Sequence, residues 1–247
     1  MWDDARQLNA IAATLAILGV LALVWAGVAW VVRQPAFAWH EVVVRDPLTR
    51  ANGAHFEAVV REELAGTFFT MDLNRAQRAL AQVPWVRSVA LRRQWPHRLE
   101  VEVEEHSPLA RWNDAALVNT RGEVFSAEAK DDLPQFQGPE GHAAEMTAQY
   151  SAWSERLAPL ALAVRTLRLS ARGSWHIEAT GPQGPLTLEL GRDDADARLT
   201  RFVAAQPRTL GVLARTGTHV DYVDLRYRNG FAARVPQFRE KAVKPHA

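Results

Sequence analysis

A chain of 247 residues with a net charge of +1 carries no long-range field that points to nucleic acid. It has no cysteine, which excludes a disulfide framework, a cysteine nucleophile, an iron–sulfur cluster and a thiolate zinc site, and which fits a non-cytosolic location. Nine tryptophans and nine phenylalanines supply ample core material, and no heptad run, fixed-period repeat or long low-complexity block interrupts the chain.

The first element is an apolar run over residues 10–32, with no charged side chain from Gln7 to Val32. At about 1.5 Å rise per residue, a helix of this length covers the roughly 30 Å hydrocarbon core of a bilayer. Its backbone hydrogen bonds are satisfied internally, as lipid requires. Trp25 and Trp30 lie in its second half and Arg33 closes it, as expected near a membrane interface. A cleaved signal peptide has a shorter apolar region and a small-x-small site, and Arg33 to Phe37 offer none. A buried core helix would show a polar face, which is absent. The run therefore predicts an uncleaved anchor. Asp3, Asp4 and Arg6 on one flank, against Arg33, Arg45 and Arg50 on the other, leave its orientation open.

Roughly 210 residues follow the anchor, enough for one large or two small domains. After a linker at 35–40, Val42 to Val44 read as a strand. Pro47 and Asn52-Gly53 mark a loop. Phe56, Val59, Val60 and Leu64 recur at helical spacing, with Gly66 as a C-terminal stop. Asp72 is a good N-cap for a second helix carrying Leu73, Ala76, Gln77, Leu80 and Val83, which ends before Pro84.

A strand over 86–93 and a turn at Trp95-Pro96-His97 lead into 98–104, where Leu99, Val101 and Val103 alternate with Glu100, Glu102 and Glu104. Antiparallel pairing sets Arg87, Arg92 and Arg93 against the glutamates, each exposed pair contributing about a few tenths of a kcal/mol and mainly fixing register. The glutamate row reads as a solvated strand face rather than a metal or acid/base site. The whole unit reads strand, helix, helix, strand, strand: a three-stranded sheet covered on one face by two helices.

A second unit opens with a strand over 108–112 and a hairpin of 115–119 with 123–125 around Thr120-Arg121-Gly122. Residues 131–134 and 137–141 read as loops. A helix over 144–157 is limited by Pro159, and strands follow at 166–169, 175–179 and 186–190. Asp193 or Asp194 caps a helix running to Ala205, with Ala195, Leu199, Phe202 and Val203 inward. A strand from Val220 to Tyr227, an Asn229-Gly230 hairpin turn and a last strand over 231–235 complete it. The tail from Glu240 reads as loose.

Several segments stand in a distinctive order. They are Gly66-Thr67-Phe68-Phe69-Thr70 before Asp72 and Asn74, Pro84-Trp85-Val86, Val89 to Pro96, Glu105, and Pro108-Leu109-Ala110-Arg111-Trp112-Asn113. Gly122-Glu123-Val124-Phe125, Leu133-Pro134, Gly138-Pro139-Glu140-Gly141 and Ser174-Trp175 come next. Leu190-Gly191-Arg192, Arg201-Phe202 and Tyr222-Val223-Asp224-Leu225-Arg226-Tyr227 with Gly230 finish the set. This ordered set, from about residue 37 to 235, resembles the FtsQ/DivIB family of bacterial cell-division proteins.

The resemblance implies an α+β protein. A short cytoplasmic tail (1–9) and one transmembrane helix (10–32) precede a POTRA domain of β-α-α-β-β order (37–106). A C-terminal, mostly antiparallel β domain with packed helices (107–238) and a flexible tail (239–247) follow. It resolves the orientation: a single-pass type II protein of the cell inner membrane, with its bulk in the periplasm, enriched at the division septum. It implies an essential, non-enzymatic scaffold with no cofactor and no metal. Such a scaffold binds FtsB and FtsL, contacts further divisome proteins through the POTRA domain, and links early to late cell-division proteins.

The partner surface that the resemblance implies comprises Arg172, Arg226, Tyr227, Asn229, Gly230, Phe231, Ala232, Ala233, Arg234 and Val235. Arg172 and Arg226 would pair with partner carboxylates and Tyr227 would be an aromatic anchor. Gly230 would allow close backbone approach, and the last strand would extend its sheet with a partner strand. Three positions depart from the family pattern: Val235 stands where a large aromatic is usual, Phe231 where a small residue is usual, and Arg228 where an acidic residue can occur. An anchored hydrolase is the rival from another class. However, the eight histidines are scattered, and H-E-x-x-H, G-x-S-x-G and P-loop motifs are absent. A POTRA-bearing adaptor of another envelope assembly system would carry a membrane β-barrel, for which nothing here is long enough.

Overall fold

A computed structural model of the chain describes residues 5–34, 37–38, 41–45, 47–63, 67–95, 97–215 and 217–236. Most of the 35–40 linker, the helix stop at Gly66, Pro96 of the predicted turn and the tail from 240 lie outside them. The first helix, α1, spans Ala5–Val32. Its segment Leu8–Val32 is long and apolar enough to cross a membrane, and none of it is buried in protein.

The chain divides into two compact units, residues 1–106 and 107–247. In the first, β1 (Glu41–Val44), α2 (Gly53–Glu63), α3 (Leu73–Leu80), β2 (Val86–Gln94) and β3 (Arg98–Glu105) follow in the order read from sequence. The sheet order is β1-β3-β2, parallel between β1 and β3 and antiparallel between β3 and β2. Period two decides the faces: Leu99, Val101 and Val103 are buried with Phe56, Ala76, Leu80 and Val89. Asp72 caps α3 by accepting the amides of Asn74 and Arg75. Gln77 ties that helix to the sheet, donating to the carbonyl of Val89 at 2.7 Å.

Two of the three glutamates of the row, Glu100 and Glu104, are ion-paired on the strand face. Glu104 pairs with Arg87 at 2.6 Å and Glu100 with Arg45 at 2.9 Å. The register differs from a simple arginine-against-glutamate ladder: Arg92 opposes Glu100, but Arg93 opposes Leu99. A bulge between Val86 and Ser88 shifts the pairing by one residue.

Glu105 does more than pair. Its carboxylate accepts the backbone amides of Thr49, Arg50 and Ala51 and the Thr49 hydroxyl, and so holds the loop before α2 against the end of β3. Burial alone pushes this carboxyl up, but the Thr49 hydroxyl and the three amides together hold it below its ordinary value of 4.5. A carboxyl with a depressed folded value stabilises the fold above its unfolded value and ceases to as pH falls through the folded one. The first unit is therefore expected to lose stability below about pH 4.5. Glu105→Ala, which strands three amides, is expected to cost about 1–3 kcal/mol at neutral pH and to flatten that acid dependence. Urea unfolding of this unit across pH checks both.

The second unit is built on one mixed nine-stranded sheet of order β12-β11-β10-β9-β8-β7-β4-β5-β6. The strands are β4 (Pro108–Trp112), β5 (Ala116–Asn119), β6 (Val124–Phe125), β7 (Gln135–Gln137), β8 (Ala163–Leu169), β9 (Trp175–Gly181), β10 (Gly184–Gly191), β11 (Tyr222–Asp224) and β12 (Ala232–Arg234). Five neighbouring pairs are antiparallel and three (β4–β7, β7–β8 and β10–β11) are parallel. Two main helices, α4 (Ala143–Leu157) and α5 (Ala195–Ala205), contribute Met146, Trp153, Leu157, Leu199 and Phe202 to one continuous core. A short α6 (Leu210–Arg215) follows. Gly122 permits the β5–β6 turn: its φ is +80°, and a Cβ there would stand 2.5 Å from the Cα of Ala144.

The structure corrects three sequence readings in this unit. Gln137 is not loop but the end of β7, which bridges β4 and β8 through parallel pairing. Asp194 does occupy the N-cap of α5, but at φ 53° its side chain makes no capping bond. The third concerns the last hairpin. Gly230 does not take a positive φ, and residues 225–231 separate β11 from β12. Leu225 is buried and its amide still bonds the carbonyl of Glu189 on β10, so the chain leaves the sheet late and returns by a wide loop.

Candidate functional site

Strand β12 closes one end of the nine-stranded sheet, pairing antiparallel with β11 at Arg234–Tyr222, Ala233–Val223 and Ala232–Asp224. Ala232, Ala233 and Arg234 are exposed. Among the described residues β12 is paired on one side only, and such a strand presents alternate backbone groups outward, which is a template for another strand.

Two aspartates fix this edge. The Arg234 guanidinium meets Asp221 through two parallel bonds, Nε to Oδ1 at 3.0 Å and Nη2 to Oδ2 at 2.9 Å, and lies 5.5 Å over the Tyr222 ring. That clamp pins β12 to the segment before β11. It also holds the Asp221 carboxyl below its usual value. Asp224, largely buried, accepts from the Arg226 amide at 2.9 Å and from its Nε and Nη2 at 2.9 and 2.7 Å. This pairing outweighs burial and lowers the Asp224 carboxyl.

Arg226 is thus already engaged within its own chain, which differs from the expectation of a side chain waiting for a partner carboxylate. Its fork is oriented by Asp224, and the guanidinium donors other than Nε and Nη2 remain for another acceptor. Gly191, at φ +73°, makes room for it, since a Cβ there would sit 3.0 Å from Arg226 Cγ. Arg198 reaches the same place and donates to the carbonyl of Leu190 at 2.6 Å. Arg172 is exposed in the β8–β9 turn, next to Gly173, which lies against Arg192. Arg172, Arg192, Arg198 and Arg226 therefore lie at one end of the sheet, with Asp193, Asp194 and Asp224 among them.

The loop at 225–231 joins this end to the edge strand. Tyr227 is 57% exposed. Asn229 and Gly230 lie beside a pocket of about 230 Å³ whose other wall is Arg198, Arg201, Phe202 and Ala205 of α5. A Cβ at Gly230 would meet open space. Phe231 turns inward, its ring edge-on to Phe202 at 5.7 Å, and Val235 also packs on the core. Two of the three positions that depart from the family pattern, Phe231 and Val235, thus serve as packing residues that seat β12, while Arg228 is exposed. The structure exposes Arg226 to Gly230 and Ala232 to Arg234, turns Phe231 and Val235 toward the core, and sets Arg172 at the same end of the sheet. Sequence reasoning missed the orienting roles of Asp221 and Asp224. The i, i+2 spacing of Asp224 and Arg226, which puts both on one face of an extended segment, was the available signal. Among the described residues, no three His, Asp or Glu side chains converge on a metal site.

One membrane-length helix, a β-α-α-β-β unit and a mixed sheet with an open final edge define a membrane-anchored protein of POTRA type. Residues 42–106 match the family model "POTRA domain, FtsQ-type", and residues 110–226 match "Cell division protein FtsQ/DivIB, C-terminal". The cell division protein FtsQ of Burkholderia pseudomallei is 40% identical over 243 residues, covering 97% of this chain and 96% of the relative. That of Nitrosospira multiformis is 38% identical over 239 residues, covering 95% and 99%. That of Escherichia coli is 37% identical over 172 residues, covering 68% and 61%. The chain belongs to the FtsQ/DivIB family of cell division proteins. The C-terminal family match stops at Arg226, so Tyr227 to Val235 lie beyond it.

Proposed function

We propose that this protein is a divisome scaffold of the inner membrane. It is a single-pass type II protein with its bulk in the periplasm, enriched at the septum, that binds FtsB and FtsL and links early to late cell-division proteins. Its tail (1–9), span (10–32), POTRA domain (37–106), β domain (107–238) and flexible end (239–247) divide these tasks, with the POTRA domain meeting further divisome proteins. It performs no catalysis and needs no cofactor.

The observation that carries the reading is the exposed edge strand β12, with Tyr227 exposed beside it. A partner strand adds to the edge by main-chain bonds, which gives affinity, while neighbouring side chains select the sequence. The arginines at that end favour an acidic partner segment. Tyr227 buries a large rigid ring with little entropy lost, as hot-spot residues do.

Tyr227→Ala is expected to weaken binding of the FtsB–FtsL pair by about 2 kcal/mol, or about thirtyfold, with unchanged circular dichroism. Hydrogen exchange at Ala232, Ala233 and Arg234 is expected to slow when the pair is added. Equal affinity of both proteins, with no protection of β12, would move the site off this edge.

A further inference from the structure

We propose that the turn at residues 67–71, before α3, together with Phe37, forms an aromatic foot that rests in the lipid headgroup region and fixes the first unit against the bilayer surface. The inference rests on the membrane-anchor reading of α1. At about 1.5 Å per residue, the 25-residue span Leu8–Val32 extends about 37 Å, more than the roughly 30 Å hydrocarbon core. The last turn of α1, with exposed Trp30, and Arg33 just after it therefore reach the interface, where aromatic and cationic side chains are favoured.

A helix end leaves its last carbonyls without intrahelical donors. Here the carbonyl of Val32 accepts the Thr67 hydroxyl at 2.7 Å, so a residue of the folded unit caps the membrane helix. The contact continues outward. Ala38 and Thr67 form an antiparallel bridge, and the Phe68 amide donates to the carbonyl of Phe37 at 2.8 Å.

Three rings follow from that geometry. Phe69 packs edge-on against Phe37 at 5.3 Å and against Phe68 at 5.2 Å, yet remains 50% exposed. An apolar cluster held one hydrogen bond from the end of a membrane helix sits at the depth of the headgroups. The turn is also rigidly joined to the unit behind it. The amides of Thr70 and Met71 bond the carbonyl of Thr67, Arg93 of β2 donates to the carbonyl of Met71 at 2.6 Å, and Asp72 begins the cap of α3. Whatever holds the foot therefore holds the sheet.

Because the chain has no cysteine, a single nitroxide label can be placed without background. The full chain would be reconstituted in phosphatidylethanolamine/phosphatidylglycerol vesicles as Phe69→Cys and, for comparison, Glu57→Cys on the exposed side of α2. Both sites are outside the core, and the label restores apolar bulk at position 69. The label at 69 is expected to collide several-fold less often with an aqueous nickel chelate, and several-fold more often with oxygen, than the label at 57. Equal access of both labels to nickel chelate, in protein that floats with the vesicles, would overturn the foot and leave the anchor standing. Drying of position 69 only when a partner protein is added would likewise overturn the foot. Failure to float at all would overturn the anchor and the foot with it.

Discussion

Trp153→Ala is expected to lower the stability of the second unit by about 3–5 kcal/mol, the scale of removing a buried tryptophan ring from a packed core. Trp153 is 1% exposed and is among the largest side chains buried in the molecule. It lies where three elements meet. Its ring stands edge-on to Trp175 of β9 at 5.0 Å. Its Nε1 donates to Asp196 of α5 at 2.9 Å, and Arg156, one turn along α4, meets the same carboxylate oxygen at 2.7 Å. Truncation would open a cavity between sheet and helices and would leave Asp196 with one donor fewer. Trp153→Phe separates the two losses. It keeps most of the ring and forfeits the hydrogen bond, and is expected to cost about 1 kcal/mol for that bond, with any misfit of the smaller ring in addition. Chemical unfolding followed through the second unit distinguishes these outcomes. A loss under about 1 kcal/mol for the alanine variant would show that the three elements are not joined through this ring.

What could be read from the sequence depended on how many residues repeated a signal. The β2–β3 pair was legible because seven residues from Arg98 to Glu104 alternate without a break. The α3 start was legible because Asp72 is a capping residue directly before a helical pattern. Strand β7 was not: three residues between Pro134 and Gly138 carry no period, and their role comes from parallel neighbours far apart in sequence. The α6 helix, six residues containing Gly211, was equally silent. Around the candidate site, the edge strand could be placed because a strand-like run follows Asn229-Gly230. The turn itself was misread. An Asn-Gly pair specifies a tight hairpin only when the strands reach it, and here buried Leu225 and the Asp224–Arg226 bonds take the chain along another path. Tertiary contacts thus overrode a strong local preference, and they did so where the proposed partner surface lies.

Phe202→Ala tests that link between core and surface, with an expected cost of about 3–5 kcal/mol and a second effect on binding. Phe202 is fully buried in α5, and its ring supports Phe231 at 5.7 Å. It also forms part of the wall of the 230 Å³ pocket beside Asn229 and Gly230. Without it Phe231 loses its seat, and Phe231 immediately precedes β12, so the edge strand would be held chiefly by the Arg234–Asp221 clamp and its pairing with β11. That clamp is exposed on its arginine side, and exposed ion pairs contribute little. Hydrogen exchange of residues 231–235 is therefore expected to quicken in Phe202→Ala far more than in Trp153→Ala, whose defect lies under the middle of the sheet. Partner binding is expected to fall in step with it. Phe202→Leu, which keeps most of the volume, should restore part of both. If the two alanine variants disturbed β12 equally, the edge would be responding to general loss of stability. If only Phe202→Ala did, the Phe202–Phe231 contact would be what presents the strand.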